Sequence, residues 1–247
     1  MSQGAEPIRR ETVAALYERE LRAFEAAHPT SREIHERAKG SLLSGVPMNW
    51  MTRWPGSFPV FFSEASGATV TDVDGHDYAD LCLGDTGAMT GHSPPVTADA
   101  VDERLRNGIT TMLPSGDSVA VGEELSRRFG VSRWQVTVSA TDANRFVIRL
   151  AREITGRSKV LVFNHCYHGS VDEALVTLDD DVVVPRDGSV GPPVDPSLTT
   201  RAVEFNDLEA LERALAFGDV ACVLTEPALT NVGIVLPVEA STTGCAS

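Results

Sequence analysis

Apolar positions change their period twice along this 247-residue chain. Over residues 6–27, Val13, Leu16, Leu21 and Phe24 form an apolar stripe among charged side chains, the spacing of an amphipathic helix. His28-Pro29-Thr30 ends it, and Ser31 is placed to cap a second short helix. Residues 40–58 mix Gly, Pro, Trp and Met without a period and predict irregular chain. Residues 67–83 then read as two strands around Asp74-Gly75, a strong hairpin signal.

From residue 94 onward, helical and strand patterns alternate. Helices are predicted over 95–107 and 115–129, the second closed by Gly130. A short strand is predicted over 136–138. A helix follows over 141–155, with Phe146, Val147, Leu150, Ala151 and Ile154 on one side and Gly156 after it. Lys159–Phe163 is an apolar, β-branched strand; 179–200 reads as loop; Asn206 can cap a helix over 207–217; 220–225 is another buried strand. Such alternation implies crossovers and a mainly parallel α/β sheet. The expected organisation is an N-terminal helical and hairpin segment over 1–93, an α/β domain over 94–237 and a distinct tail over 238–247.

Composition narrows the function. With 21 Lys+Arg against 35 Asp+Glu the net charge is −14, which argues against a nucleic-acid or anionic-membrane surface. Met1 to Glu20 has no apolar signal core, and no run approaches the roughly 20 residues of a spanning helix. Cys82, Cys166, Cys222 and Cys245 form no CxxC pair and read as reduced thiols, so a cytoplasmic setting is expected. No GxGxxG follows a strand. Gly84-Asp-Thr-Gly87 lacks a P-loop lysine, and Gly116-Asp-Ser118-Val-Ala120 lacks the last glycine of a nucleophile elbow.

Three segments at strand ends carry candidate chemistry. Ser139-Ala140-Thr141-Asp142-Ala143-Asn144 lies where a strand turns into a helix, which leaves free backbone N–H groups beside two hydroxyls, a phosphate cradle. His165-Cys166-Tyr167-His168-Gly169 follows strand 159–163, where ligands of parallel sheets bind, and offers an aromatic for stacking. His165, Cys166 and His168 have no further ligand at a helpful spacing, so no metal is expected. Thr225-Glu226-Pro227 with Asn231-Val-Gly233 places a carboxylate and an amide at a third strand end. Each alone also fits a plain capped helix, a surface loop or a Pro-terminated strand. Together they suit a flat, phosphorylated, heteroaromatic cofactor, pyridoxal 5'-phosphate being the obvious candidate.

These residues resemble the class III aminotransferases, in the branch of glutamate-1-semialdehyde aminomutase and β-amino-acid aminotransferases. Asp72-Val-Asp-Gly-His-Asp-Tyr-Ala-Asp80 is similar to the family's early hairpin, and Gly91-His92 to its following turn. Ser139-Ala-Thr-Asp-Ala143 stands where the family has its Ser-Gly-Thr-Glu-Ala phosphate loop, and Arg149–Arg157 resembles the helix end that follows. Tyr167-His168-Gly169 matches the family's Tyr-His-Gly, and Glu226-Pro227 with Asn231-x-Gly233 its Glu-Pro and Asn-x-Gly elements. The resemblance runs from about residue 15 to Pro237. It implies a fold-type I large domain and Ser139, Ala140, Thr141, Tyr167, His168, Glu226 and Asn231 around the cofactor. Tyr167 would lie on the ring and Asn231 near the phenolic oxygen. Small-molecule amino donors and acceptors and a homodimer are also implied.

Two departures stand out. Ala140 replaces the loop glycine, which costs about 1 kcal/mol only if that position needs positive φ. The family's Schiff-base lysine and the aspartate at the pyridine nitrogen have no counterpart. The only lysines are Lys39 and Lys159, and Lys159 opens its strand at the end away from the site. The large domain is therefore expected to be incomplete and this chain alone catalytically inactive, a cofactor-binding or assembly remnant being the alternative. The tail Val238–Ser247 is not family-like; a shifted frame of one back-translation yields a helix-like His-Asp-Gly-Leu-Arg-Glu, so a frameshift after Pro237 is expected. Arg53 and Trp54 could contact a substrate carboxylate.

Overall fold

The computed structural model describes residues 9–53 and 55–238. Trp54, Cys245 and tail residues 239–247, with the expectations placed on them, lie outside the described residues. The chain divides into two compact units, Met1–Pro114 and Ser115–Ser247.

The first unit begins with α1 (Arg10–Ala27) and α2 (Pro29–Ala38), separated by a break at His28. Ser31 does not cap α2. Pro29 occupies the first helical turn, so the orphan donors are the amides of Thr30 and Ser31. Both are taken by the Asp74 carboxylate at 2.7 and 3.0 Å, a remote cap that also answers the helix dipole. The Ser31 hydroxyl is fully buried and accepts from Phe61 N instead. Residues 40–58 contain two short 3-10 turns, Leu43–Gly45 and Asn49–Arg53. Strands β1 (Phe62–Ser66), β2 (Thr69–Asp72) and β3 (Asp77–Ala79) form an antiparallel sheet in that order. The Asp74-Gly75 hairpin is as expected; β1 is an addition. α3 (Pro95–Arg106) follows.

The second unit opens with α4 (Gly116–Phe129), closed by Gly130 in the left-handed region. α5 (Ala140–Thr155) is capped by Ser139, whose Oγ accepts from Asp142 N, and closed by left-handed Gly156. Its core is a parallel sheet with β4 (Lys159–Phe163) between β7 (Thr200–Val203) and β8 (Val220–Leu224). β4 is covered on both faces, which is why it reads as an unbroken apolar run. Val160, Leu161 and Val162 are wholly inaccessible. Leu161→Ala is expected to lower stability by about 2–5 kcal/mol, read as a shift in the urea midpoint with unchanged slope.

Three expectations are corrected. Residues 136–138 pair with no strand among the described residues, and Val136 and Val138 are exposed; extended chain without a ladder partner is not a strand. The segment 179–200 is not all loop. β5 (Val176–Asp179) and β6 (Val182–Pro185) form a hairpin whose corner, Asp180-Asp181, has positive φ at both residues, the I′ geometry usually given to Asn-Gly. α6 (Leu208–Ala216) is capped by Asp207, which accepts from Ala210 N; Asn206 is left-handed and instead holds Leu236 O and Val238 N. The apolar side of α5 faces outward. Phe146, Val147, Leu150 and Ile154 are at least half exposed, while Ile148 is buried. The helix is turned by what its first residues must touch.

Candidate active site

Everything at the carboxyl end of β4 converges on the loop 165–170. His165 leaves the strand in the left-handed region, φ 63°. Its amide donates to Asn164 Oδ1, and Asn164 also accepts from Thr177 Oγ1 and Leu178 N while donating to Glu204. Asn164 is thus a buried knot tying the strand end to β5.

Three further segments bind the loop. The Asn144 amide on α5 donates to His168 O at 2.9 Å. Thr141 Oγ1 accepts from Ser170 N at 3.1 Å. Asn231 Nδ2 donates to His165 O at 3.0 Å. Gly169 (φ 78°) packs so closely on α5 that a Cβ there would lie 2.2 Å from Thr141 Oγ1. The Ser139–Thr141, Tyr167–Gly169 and Asn231 segments expected from sequence are therefore brought together. Asn144, Asn164 and Arg186, whose guanidinium donates to Cys166 O, were not anticipated. A polar side chain directly after a buried strand was the signal for Asn164; nothing local marked Arg186.

The start of α5 provides the donors. The Ala140 and Thr141 amides find no acceptor among the described residues, and Asp142 N and Ala143 N are taken by Ser139. Ala140 lies in the helix without positive φ, so its methyl group costs nothing there. Beside this cradle Tyr167 is 58% exposed, with its ring available for stacking. Buried beneath are two unpartnered polar atoms, His168 Nε2 and Glu226 Oε1. The other Glu226 oxygen accepts from Thr230 N and Oγ1. The Ser139 hydroxyl donates to Asp142 Oδ2 at 3.1 Å and must turn from it to meet an anion. Two free amides, the Thr141 hydroxyl, an open aromatic face and an orphaned carboxylate oxygen fit a phosphorylated heteroaromatic ring.

Burial shapes the titration of this cluster. Burial pushes the Cys166 thiol up to about 11, with Arg186 opposing, so it is an inert thiol. Burial also lowers the pKa of His168, against the pull of Glu226. A histidine depressed in the folded state stabilises fully above its ordinary value of 6.5 and loses that contribution as pH falls below it. The second unit is expected to lose stability on acidification from pH 6.5. His168→Gln should flatten that limb in melts across pH.

Lys159 is not available here. Lys159 Nζ, at the opposite end of β4, donates to Ser197 O at 2.8 Å and faces Asp219 at 3.8 Å. Lys39 Nζ pairs with Glu36 in the first unit. No helix among the described residues is long and apolar enough to cross a membrane.

Comparison with known proteins agrees with this geometry. The family model for class III aminotransferases matches residues 50–247. A crystal structure of a glutamate-1-semialdehyde-aminomutase from Pseudomonas aeruginosa PAO1 superposes with a TM-score of 0.91 at 54% identity, covering 96% of this chain and 52% of that one. An omega-transaminase from Sphaerobacter thermophilus gives 0.77 at 27% identity, over 86% of this chain and 50% of its own. The glutamate-1-semialdehyde 2,1-aminomutase of Methanocella arvoryzae is 33% identical over 211 residues, 84% of this chain and 49% of that protein. The chain thus spans about half the length of these relatives. Its fold is that of the fold-type I, pyridoxal-phosphate-dependent enzymes. With the match covering most of its residues, the chain belongs to the class III aminotransferase family.

Proposed function

We propose that this chain carries the phosphate and ring-binding half of a pyridoxal 5'-phosphate site of the glutamate-1-semialdehyde aminomutase and β-amino-acid aminotransferase branch. The observation that carries the reading is the convergence of α5, loop 165–170 and Asn231 around two free amides. The Ala140 and Thr141 amides with the Ser139 and Thr141 hydroxyls hold the phosphate. Tyr167 lies on the ring, Asn231 faces the phenolic oxygen, and His168 and Glu226 support the floor. The bound cofactor supplies an electron sink for chemistry next to an amino nitrogen. The reaction class is amino transfer, or a 1,2-amino shift, on a small amino acid or amino-semialdehyde, carried out by a homodimer.

Proton transfer needs a basic side chain at the reacting carbon; Lys159 is engaged at the opposite end of β4, and Lys39, at the end of α2 in the first unit, does not match the family's lysine. This chain on its own therefore holds cofactor without turning over an amino donor. A lysine-to-alanine variant of the Pseudomonas aeruginosa enzyme is in complex with PMP, which supports holding without the lysine. Calorimetric titration with pyridoxamine 5'-phosphate, set against unphosphorylated pyridoxamine, tests the reading. Binding should require the phosphate, and Thr141→Val should weaken it about tenfold through one lost charge-assisted bond. Equal binding of the two ligands, or rapid amino transfer by this chain alone, would overturn it.

A further inference from the structure

The first unit contains a cluster that the cofactor reading does not use. His28 sits at the break between α1 and α2, and Asp72 and His76 flank the β2–β3 hairpin. His28 Nε2 and His76 Nδ1 lie 3.4 and 3.0 Å from the same oxygen, Asp72 Oδ2. One ligand atom from each of the three residues falls within 4.8 Å of the others. We propose that His28, Asp72 and His76 form a binding site for a divalent cation of the zinc class.

Three features go beyond proximity. First, both imidazole-to-carboxylate separations suit the metal: in a tetrahedral site with arms near 2.05 Å, neighbouring donors stand about 3.3 Å apart, and the two imidazole nitrogens, within 4.8 Å, would close toward that value around an ion. Second, both inner ligands are already oriented. His28 Nδ1 donates to Phe24 O at 2.8 Å, which turns Nε2 toward the carboxylate. A backbone carbonyl on the far ring nitrogen is the usual support of a metal-bound histidine. Asp72 Oδ1 takes the amides of Asp74 and His76, both at 2.9 Å, leaving Oδ2 to face the imidazoles. Third, the cluster is reachable. His28 and Asp72 are buried, but the His76 side chain is 42% exposed. A cavity of about 360 Å³ bordered by Tyr17, Phe24, His28 and Tyr78 opens beside it.

Two imidazoles and one carboxylate select a borderline metal over calcium or magnesium, which take oxygen ligands. Three protein ligands leave the fourth position to water or to Tyr78, whose hydroxyl stands 2.8 Å from His28 Nε2 and 2.7 Å from Asp72 Oδ2. Without metal, the Tyr78 hydroxyl donates to Asp72 Oδ2 and its oxygen stands beside His28 Nε2. The ion would lock the α1–α2 break onto the hairpin. Asp72 and His76 stand in one hairpin, but His28 comes from a distant helix break, which is why spacing alone does not reveal the set.

Cobalt titration of the chelator-treated full chain tests the site. One equivalent should bind with the visible absorption of a nitrogen and oxygen site, without a thiolate charge-transfer band, and zinc should displace it. His76→Gln should weaken binding by about tenfold or more, and Cys166→Ser should leave it unchanged. A second readout needs no variant: zinc should slow acylation of His76 by diethyl pyrocarbonate in the wild-type chain but not that of exposed His165. No cobalt uptake, uptake with a thiolate band, undiminished uptake by folded His76→Gln, or an unprotected His76 would each overturn the assignment.

Discussion

Gly169→Ala is expected to destabilise the second unit by about 3–4 kcal/mol and to weaken phosphate-dependent cofactor binding by more than tenfold. Two costs combine. Residue 169 has φ 78°, a conformation that costs an L-residue about 1–2 kcal/mol. The added methyl would also lie 2.2 Å from Thr141 Oγ1 and 3.0 Å from Thr141 Cα. Relief requires the loop and α5 to separate, which strains the Thr141–Ser170 and Asn144–His168 bonds, each worth about 1 kcal/mol. Gly188 provides the control. It has a similar φ of 82° but open space around its Cβ position, so Gly188→Ala should show the backbone cost alone. Urea denaturation of the two variants separates backbone strain from collision. If both lose the same stability, the close approach at Gly169 is not a feature of the folded chain.

The collision explains which parts of the site were legible in the sequence. Tyr167-His168-Gly169 and Ser139–Thr141 are local signals, because a glycine at a close approach and a hydroxyl at a helix start are each written in one place. Buried β4 and β8 were equally plain, since an apolar β-branched run has few other uses. The outward turn of α5 was not legible. Five apolar residues on one side predict burial there, yet Thr141, Asn144 and Ile148 bind the helix to the loop and sheet by its other side. Periodicity reports that a helix has an apolar face, not what covers it. The caps failed for a related reason. Ser31 and Asn206 are good capping types, but Asp74 reaches α2 from across the hairpin and Asp207 takes the place beside Asn206. Competition between neighbours, and acceptors arriving from distant segments, are tertiary facts. The β5–β6 hairpin escaped because Asp-Asp seldom adopts the I′ corner.

In the first unit, Asp72→Ala should cost about 3–5 kcal/mol, more than any exposed charge in the chain. The side chain is almost completely buried. Its two oxygens accept from the amides of Asp74 and His76 and face His76 Nδ1 and the Tyr78 hydroxyl at 2.7–3.0 Å. Burial by itself would raise the pKa of this carboxyl. The hydrogen bonds from His76, Tyr78 and Asp74 outweigh it and hold the group far below the usual carboxylate range. The same contact acts on Tyr78 in the other direction: burial first, then the bond to Asp72 and its charge, push that phenol up to about 12. Deleting the carboxylate strands all these donors in a buried place, and the unmade bonds rather than the lost contact set the cost. The sign with pH follows. A carboxyl depressed in the folded state stabilises fully above its ordinary value of 3.8, and that contribution disappears as pH falls below it. Wild-type chain should therefore lose hairpin protection steeply in acid, read by hydrogen exchange at the amides of β2 and β3. Asp72→Asn should lack this acid limb, because an amide keeps an acceptor for the turn but cannot titrate. Tyr78→Phe removes a single donor and should cost only about 1–2 kcal/mol. If Asp72→Ala costs no more than Tyr78→Phe, the carboxylate is not the centre of the network, and the α1–α2 break and the hairpin are held together by apolar packing instead.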